Sequence, residues 1–308
     1  MTSDEDKIFS LSHELEGFKF VDFEDVRIQL SNSPHRVTTK INYHDQSATL
    51  RYYLNFNEKR KIFYHNEINS LQKLLQDGTR NQPEILEKND EKGWVIESYL
   101  DGKISGKLYG FDLDFLNNID PGDFVRILTK IKLSKPKLLE WQGGLNKFYE
   151  DRFEFVTNNW PFDEMKPIDY WRSLYLDSIK GVLVKNLAFS HGDLNPGNII
   201  YKDQRIIGFI DWESSKYDGY FRDFASVYYL ASGDEHWRDK FLKGLKLDNE
   251  TKKQFNFFYL YYLLIDIALL ESAIKKGENK LFRSGEMTDG EMKSIIRRNF
   301  LQSLQVVK

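Results

Sequence analysis

Four residues in the stretch FSHGDLNPGNIIYKDQRIIGFIDWE, residues 189–213, carry side chains able to do chemistry: His191, Asp193, Asn198 and Asp211. Asp193 follows His191-Gly192 and precedes Leu194-Asn195-Pro196-Gly197, a Gly- and Pro-containing run that reads as a loop of fixed shape. A carboxylate held on such a loop can accept a hydroxyl proton. Asn198 begins the apolar strand NIIYK, and Asp211 ends the strand RIIGFID. If the two strands form a hairpin, Asn198 and Asp211 fall at the same end. An amide oxygen and a carboxylate together suit Mg²⁺, which takes oxygen ligands and keeps waters and substrate phosphates. Phosphoryl transfer needs such a set, because the protein's part in it is mostly position and charge neutralisation.

These strands lie in a chain whose other elements are legible in outline. VRIQL, RVTTKINYH and SATLRYYLNF are rich in β-branched and aromatic residues and read as strands, with a turn at His44-Asp45-Gln46-Ser47. LSHELEGF reads as a short helix. EKRKIFYHNEINSLQKLLQDG reads as a longer one, with apolar residues at helical spacing and Gly78 as its stop. PEILEK and GWVIESYL read as a second hairpin. Beyond Asp101-Gly102 the pattern turns helical, over residues 122–133, 139–157, 168–185, 220–231, 250–275 and 288–304. The expected division is a sheet-rich lobe over 1–100 and a helical lobe over 101–308.

The composition sets limits. The chain has 308 residues, 41% hydrophobic and 15% aromatic, which argues for packed cores and against disorder. A net charge of −3 gives no footprint for nucleic acid. The absence of cysteine excludes disulfides, thiolate catalysis and thiolate-bound zinc. The acidic start MTSDEDKIFS reads as neither signal nor transit peptide, and the apolar run at 255–270 is short for a bilayer and interrupted by Asp266. The expectation is a cytoplasmic protein without membrane insertion and without an obligate protein partner.

The string HGDLNPGNII with the downstream IDWE resembles the catalytic loop and metal-binding strand of the kinase-like fold, in the form used by the aminoglycoside phosphotransferase and choline kinase superfamily. The resemblance implies an α+β, two-lobed, protein-kinase-like fold. It has a small antiparallel-sheet N-lobe with one main helix, which binds ATP or GTP, and a larger, mainly helical C-lobe, which binds the acceptor. It implies Asp193 as catalytic base, Asn198 and Asp211 as Mg²⁺ ligands, and His191 and Asp223 as braces of the catalytic loop. It also implies a strand cation on the nucleotide phosphates, paired with a helix Glu. Glu67 fits the latter. Arg51 fits the former, and a shifted register would put Asn55 there instead. The phosphate-covering turn falls at 30–35, where Ser31 and Asn32 offer backbone and side-chain donors without a glycine. The nucleobase contact falls at Glu97-Ser98-Tyr99-Leu100, with Ser98 and Leu100 as contacts.

Too few residues separate Asp211 from Arg222-Asp223 for a peptide-docking activation segment, so the expected acceptor is a small molecule. Glu213, Asp218 and Asp266, with Tyr217, Tyr220, Trp160, Trp171 and Trp237, lean towards an amine-bearing acceptor among the amino alcohols, aminoglycosides and sugars. Two rival expectations are a catalytically silent nucleotide-binding protein on the same fold and, less favoured, a protein kinase. A metallohydrolase would need further His or Glu ligands at close spacing.

Overall fold

The computed structural model describes residues 18–20, 27–29, 36–54, 56–107, 110–138, 144–161 and 167–276. The strands and helices of the first half are β1 (Phe18–Phe20), β2 (Arg27–Gln29), β3 (Arg36–Tyr43), β4 (Gln46–Tyr53), α1 (Glu58–Gln76), β5 (Ile85–Asn89), β6 (Trp94–Ser98), β7 (Lys103–Ile104), β8 (Gly106–Lys107), β9 (Gly110–Phe111), α2 (Leu113–Asn118) and α3 (Pro121–Lys132). Then follow α4 (Gly144–Asn158), α5 (Pro167–Leu174), a π turn (Tyr175–Ile179), α6 (Lys180–Lys185), β10 (Leu187–Ser190), β11 (Ile199–Lys202), β12 (Arg205–Phe209), β13 (Lys216–Gly219), α7 (Arg222–Leu230), α8 (Glu235–Leu245) and α9 (Asn249–Lys275).

Contacts divide the chain into two compact units. The first takes the described residues of Met1–Ile104, Ser134–Leu139 and Asn198–Ser215, and the second takes the remainder. A division drawn along the chain at residue 100 differs from this one, because the β11–β12 hairpin packs with the first unit. Asn81 fixes it there: its Nδ2 donates to the Ile206 carbonyl at 3.0 Å, and its own carbonyl accepts from Phe209 N at 2.9 Å. β7 adds to the hairpin as a third strand beside β11. Gly102 permits that approach, since a Cβ there would lie 2.6 Å from the Tyr201 carbonyl oxygen.

In the first unit an antiparallel sheet runs β1-β3-β4-β6-β5, with β2 also on β3. His44 and Asp45, at φ 47° and 63°, make a two-residue turn of the kind that matches strand twist. That turn fixes the register, setting Thr38 opposite Arg51 and Arg36 opposite Tyr53. Side chains alternate between faces. One face buries Ile41, Ala48, Leu50, Trp94 and Ile96. The other carries Arg51, Tyr53, Val95 and Glu97, and Tyr53 and Val95 pack on Tyr64 and Ile68 of α1. α1 starts where Asn57 Oδ1 accepts from Arg60 N at 3.1 Å, and stops at Gly78 with φ 69°.

The second unit is mainly helical. α9 packs against α7, α4 and α5, and its Phe257, Phe258, Leu260, Leu263 and Leu264 have no exposed surface. Trp171 and Tyr175 stack on Phe257 at ring-centroid distances of 5.6 and 5.4 Å. Such ring pairs add roughly 0.5–1.5 kcal/mol each beyond their buried area. Among the described residues α9 is the one helix long and apolar enough to cross a membrane, and 67% of that apolar window is buried inside the protein.

The sequence reading is corrected in three places. The rod expected over 168–185 is broken by the π turn. Of the helix expected over 139–157, the described residues show Gly144–Asn158 as helix, and 139–143 lie outside them. Helices α2 and α8, short and mostly amphipathic, went unanticipated. β10 and β13 pair through Leu187↔Gly219 to Ser190↔Lys216, a sheet of two four-residue strands too brief to leave a periodic signal. The helix expected over LSHELEGF, residues 11–18, lies outside the described residues except for Phe18, which begins β1, and the one expected at 288–304 lies outside them altogether.

Candidate active site

The β11–β12 hairpin turns through Asp203-Gln204, again with both residues at positive φ, and its open end holds Asn198 and Asp211. Ile210 N donates to the Asn198 carbonyl at 3.0 Å, which locks the two positions to one end. Asp211 sits at φ 69°, ψ 59°, a left-handed conformation that Asp tolerates better than most residues. Backbone in such a region, at a site of this kind, is held only because its surroundings over-determine it.

Those surroundings are a buried charge network on the inner face of the sheet. Arg51 Nη1 donates to Glu67 Oε1 at 2.8 Å and lies 3.4 Å from Asp211 Oδ1. Its Nε forms an ion pair with Glu97 Oε2 at 3.1 Å. Arg36 grips Asp211 with both terminal nitrogens, Nη1 to Oδ1 at 2.7 Å and Nη2 to Oδ2 at 2.9 Å, and Nη1 also reaches Glu213 Oε2 at 2.8 Å. Tyr53 donates to Glu67 at 2.9 Å and to Glu213 at 3.2 Å. Trp212 N adds a bond to Glu67 at 3.3 Å.

Two guanidinium groups thus face four carboxylates. Burial, then the neighbouring Glu67 and Asp211 charges, push Glu97 up to about 7 against the pull of Arg51 and Arg36. Glu67 is raised too, by burial and by the Asp211 and Glu213 charges. With all four acids ionised, the cluster carries two negative charges more than its arginines neutralise, the amount a divalent cation supplies. Its donors are oxygens, as Mg²⁺ requires, and a metal held by Asn198 and Asp211 would keep most of its coordination sphere for water and phosphate. The residues therefore fit that ion. No group of three or more His, Cys, Asp or Glu side chains able to hold a metal occurs among the described residues.

A cavity of about 320 Å³ opens beside this network, within the first unit. Arg51 and Glu97 line one part of it, and Leu100, Ile104, Ile200 and Ile210 supply apolar walls. Ser98 and Leu100 also border it. Ser98 is paired with Glu84, donating from N at 2.8 Å and accepting on Oγ at 2.9 Å. Ser31, Asn32 and Asn55 lie outside the described residues.

Asp193 belongs to the second unit. It is exposed, and its Oδ2 accepts from Asn195 Nδ2 at 3.2 Å. His191 is buried, and its Nδ1 accepts from Asp193 N at 3.4 Å. The loop is tied down from α7. Asp223 has no exposed surface and accepts from Ser190 Oγ at 2.7 Å, His191 N at 3.0 Å and Gly192 N at 3.3 Å. Burial alone would raise the Asp223 carboxyl. The Lys132 ammonium at 2.6 Å and the hydrogen bond from Ser190 outweigh it and hold the group down at about 2. Ser226 adds a bond to the Leu194 carbonyl at 2.7 Å.

A loop braced in this way, on this fold, agrees with comparison against known proteins: residues 42–255 match the model of the phosphotransferase enzyme family. The chain belongs to that family. The phosphotransferase gives no match among curated protein sequences. Its fold is similar to those of several solved structures. Choline kinase LicA from Streptococcus pneumoniae shares 15% identity at a TM-score of 0.57, over 98% of each chain. Macrolide 2'-phosphotransferase MphH from Brachybacterium faecium shares 14% at 0.60, over 92% of this chain and 100% of that one. The streptomycin-ATP-APH(2")-IIa ternary complex shares 14% at 0.57, over 88% and 92%. At such identities the likeness concerns the fold, which is the two-lobed kinase-like one.

The phosphotransferase treats the three acids expected near an acceptor differently. Asp218 is fully buried and committed to Arg222 Nη1 at 2.9 Å and the Tyr149 hydroxyl at 2.8 Å, so it has no surface to offer a ligand. Glu213 is part of the Arg36 network. Asp266 accepts from the Tyr229 hydroxyl at 2.6 Å, and burial together with the charge of Asp193 pushes it up to about 6. Asp193 and Asp266 therefore feel one another. Trp171 and Trp237 are core residues whose indole N–H groups bond to the carbonyls of Phe257 and Ile119. Phe148, Tyr261 and Tyr262 surround the Arg222 guanidinium, and Lys216 Nζ lies 3.4 Å above the Phe148 ring. That aromatic cluster already holds cations of the chain itself.

Sequence reasoning missed Arg36, Tyr53, Glu97 as a partner of Arg51, and Lys132. Three of them were within reach. Counting outward from a two-residue turn at His44-Asp45 places Arg36 opposite Tyr53 and next to Arg51 on one face. Lys132, near the end of an amphipathic helix, carries no such signal.

Proposed function

We propose that the protein transfers the γ-phosphoryl group of ATP or GTP to a hydroxyl of a small, amine-bearing acceptor. The observation that carries this reading is the Arg51–Glu67 pair, 2.8 Å apart, joined to Asp211 at the edge of the 320 Å³ cavity. The cavity's apolar walls suit a nucleobase and ribose, and the guanidinium at its edge suits the phosphates. One neighbour on this fold is described as an ATP ternary complex, which supports a nucleotide as donor.

Asn198 and Asp211 would hold Mg²⁺, which when bound neutralises phosphate charge and draws electron density from the transferring group. Arg51 binds the α- and β-phosphates and is itself oriented by Glu67 and Glu97. Asp193 orients the acceptor hydroxyl and takes its proton on a carboxylate oxygen. The hydroxyl oxygen forms a bond to the γ-phosphorus as the β,γ-bridging bond breaks, and the nucleoside diphosphate leaves. His191 and Asp223 keep the loop in the conformation that presents Asp193. Asp266, close enough to Asp193 to shift in its field, is the group placed to receive an acceptor ammonium.

The test is direct. Incubation with Mg²⁺, ATP or GTP, and amino alcohols, aminoglycosides and sugars should add one phosphoryl group to an amine-bearing compound, read by mass spectrometry. No gain on any compound, with no nucleotide bound, would overturn the reading.

A further inference from the structure

Arg36 holds Asp211 by a two-point, charge-assisted contact that covers both carboxylate oxygens. A divalent cation at Asp211 needs one of the same oxygens. Arg36 is 2% exposed, so solvent does little to loosen the contact. It is also a diagonal neighbour of Arg51 across the β3–β4 pair, and Arg51 already lies 3.4 Å from Oδ1. Two guanidiniums therefore converge on a single carboxylate that a metal would have to share.

We propose that Arg36 is a positioning residue that competes with the divalent cation for Asp211, so that release of this guanidinium sets the protein's affinity for the metal. The inference rests on Asp211 being a metal ligand, as proposed above. Arg36 has somewhere to go: Nη1 already reaches Glu213 Oε2 at 2.8 Å, and the guanidinium carbon lies 5.9 Å from the Tyr53 ring centroid. Its buried Nε has no acceptor among the described residues, so the guanidinium keeps a donor in reserve while clasped. Before the metal arrives, the clasp holds Asp211 in its left-handed conformation and offsets the surplus of carboxylates. Once the metal arrives, the same surplus leaves Glu213 to retain Arg36 nearby.

The experiment titrates the full chain with Mn²⁺, following free Mn²⁺ by electron paramagnetic resonance, without nucleotide or acceptor. Arg36→Gln should bind Mn²⁺ about tenfold tighter than the wild type, the scale of removing one charge-assisted competitor. Arg36→Lys, which keeps the charge but lacks the fork, should fall between them, and it carries the test if Arg36→Gln does not fold. Without metal, Arg36→Gln should melt below the wild type, and saturating Mn²⁺ should raise its Tm by more. Asp211→Asn should abolish binding in every background. Equal or weaker Mn²⁺ binding by the Arg36 variants, with binding still lost in Asp211→Asn, would overturn the competition and leave the metal site standing. Mn²⁺ binding that ignores Asp211→Asn, or none in any variant, would overturn both.

Discussion

Lys132 and Asp223 meet at 2.6 Å with neither side chain exposed, and the same carboxylate caps the backbone of His191 and Gly192. The loop that carries Asp193 is thus anchored through a buried ion pair whose cationic half comes from α3. Breaking such a pair from one side leaves an uncompensated buried charge. Lys132→Met should lower stability by about 3–5 kcal/mol, measured by urea unfolding. The Asp223 carboxyl, held at about 2, contributes stability above its unfolded value of 3.8 that is lost as pH falls towards 2. Without Lys132, burial raises the folded-state value of Asp223, so in Lys132→Met that acid-side loss should shrink or reverse.

The four-carboxylate network makes the opposite prediction near neutrality. Glu97 is raised from 4.5 to about 7, so between those values the folded protein holds a proton that the unfolded chain has released. Stability should fall as pH rises from about 4.5 to 7, in thermal melts without metal. Glu67, also raised, and Asp266, raised to about 6, add to the slope. Glu97→Gln should flatten the slope without removing it; an unchanged slope would contradict the charge surplus.

Arg51 bridges three carboxylates, Glu67 and Asp211 through Nη1 and Glu97 through Nε. A lysine there can reach one of the three at a time. Arg51→Lys should keep the fold and weaken nucleotide binding by roughly tenfold, the scale of one lost charge-assisted contact, read by calorimetry.

Asp266 is ionised above its value of about 6 and neutral below it. For an acceptor bearing an ammonium group, KM should rise as pH falls through 6. Asp266→Asn should raise KM at pH 8 and remove that pH dependence, with kcat little changed. Steady-state kinetics at several pH values checks this.

The loop over 191–198 was legible as a loop because its polar residues stand at fixed spacing between apolar strands, and short-range hydrogen bonds around Asp193 and Asn195 make that spacing a shape. The hairpin ends of β3–β4 and β11–β12 were legible for the same local reason. Long-range placements were not. Lys132 meets Asp223 across 91 residues, and Arg36 meets Asp211 across 175, separations at which no periodicity carries information. Asp218 misled for a related reason: an acid beside aromatics reads alike whether it faces a ligand or, as here, Arg222 and Tyr149 in the core.

The central claim is that Asp193 takes the acceptor proton during phosphoryl transfer, and Asp193→Asn tests it most directly. The variant is nearly isosteric at an exposed position and keeps an oxygen for Asn195 Nδ2 to donate to, so the fold should persist. With a phosphorylated acceptor in hand, single-turnover rates with Mg²⁺ and ATP should fall by about 10²-fold or more, with nucleotide affinity unchanged. A variant that transfers phosphate at the wild-type rate would contradict the account.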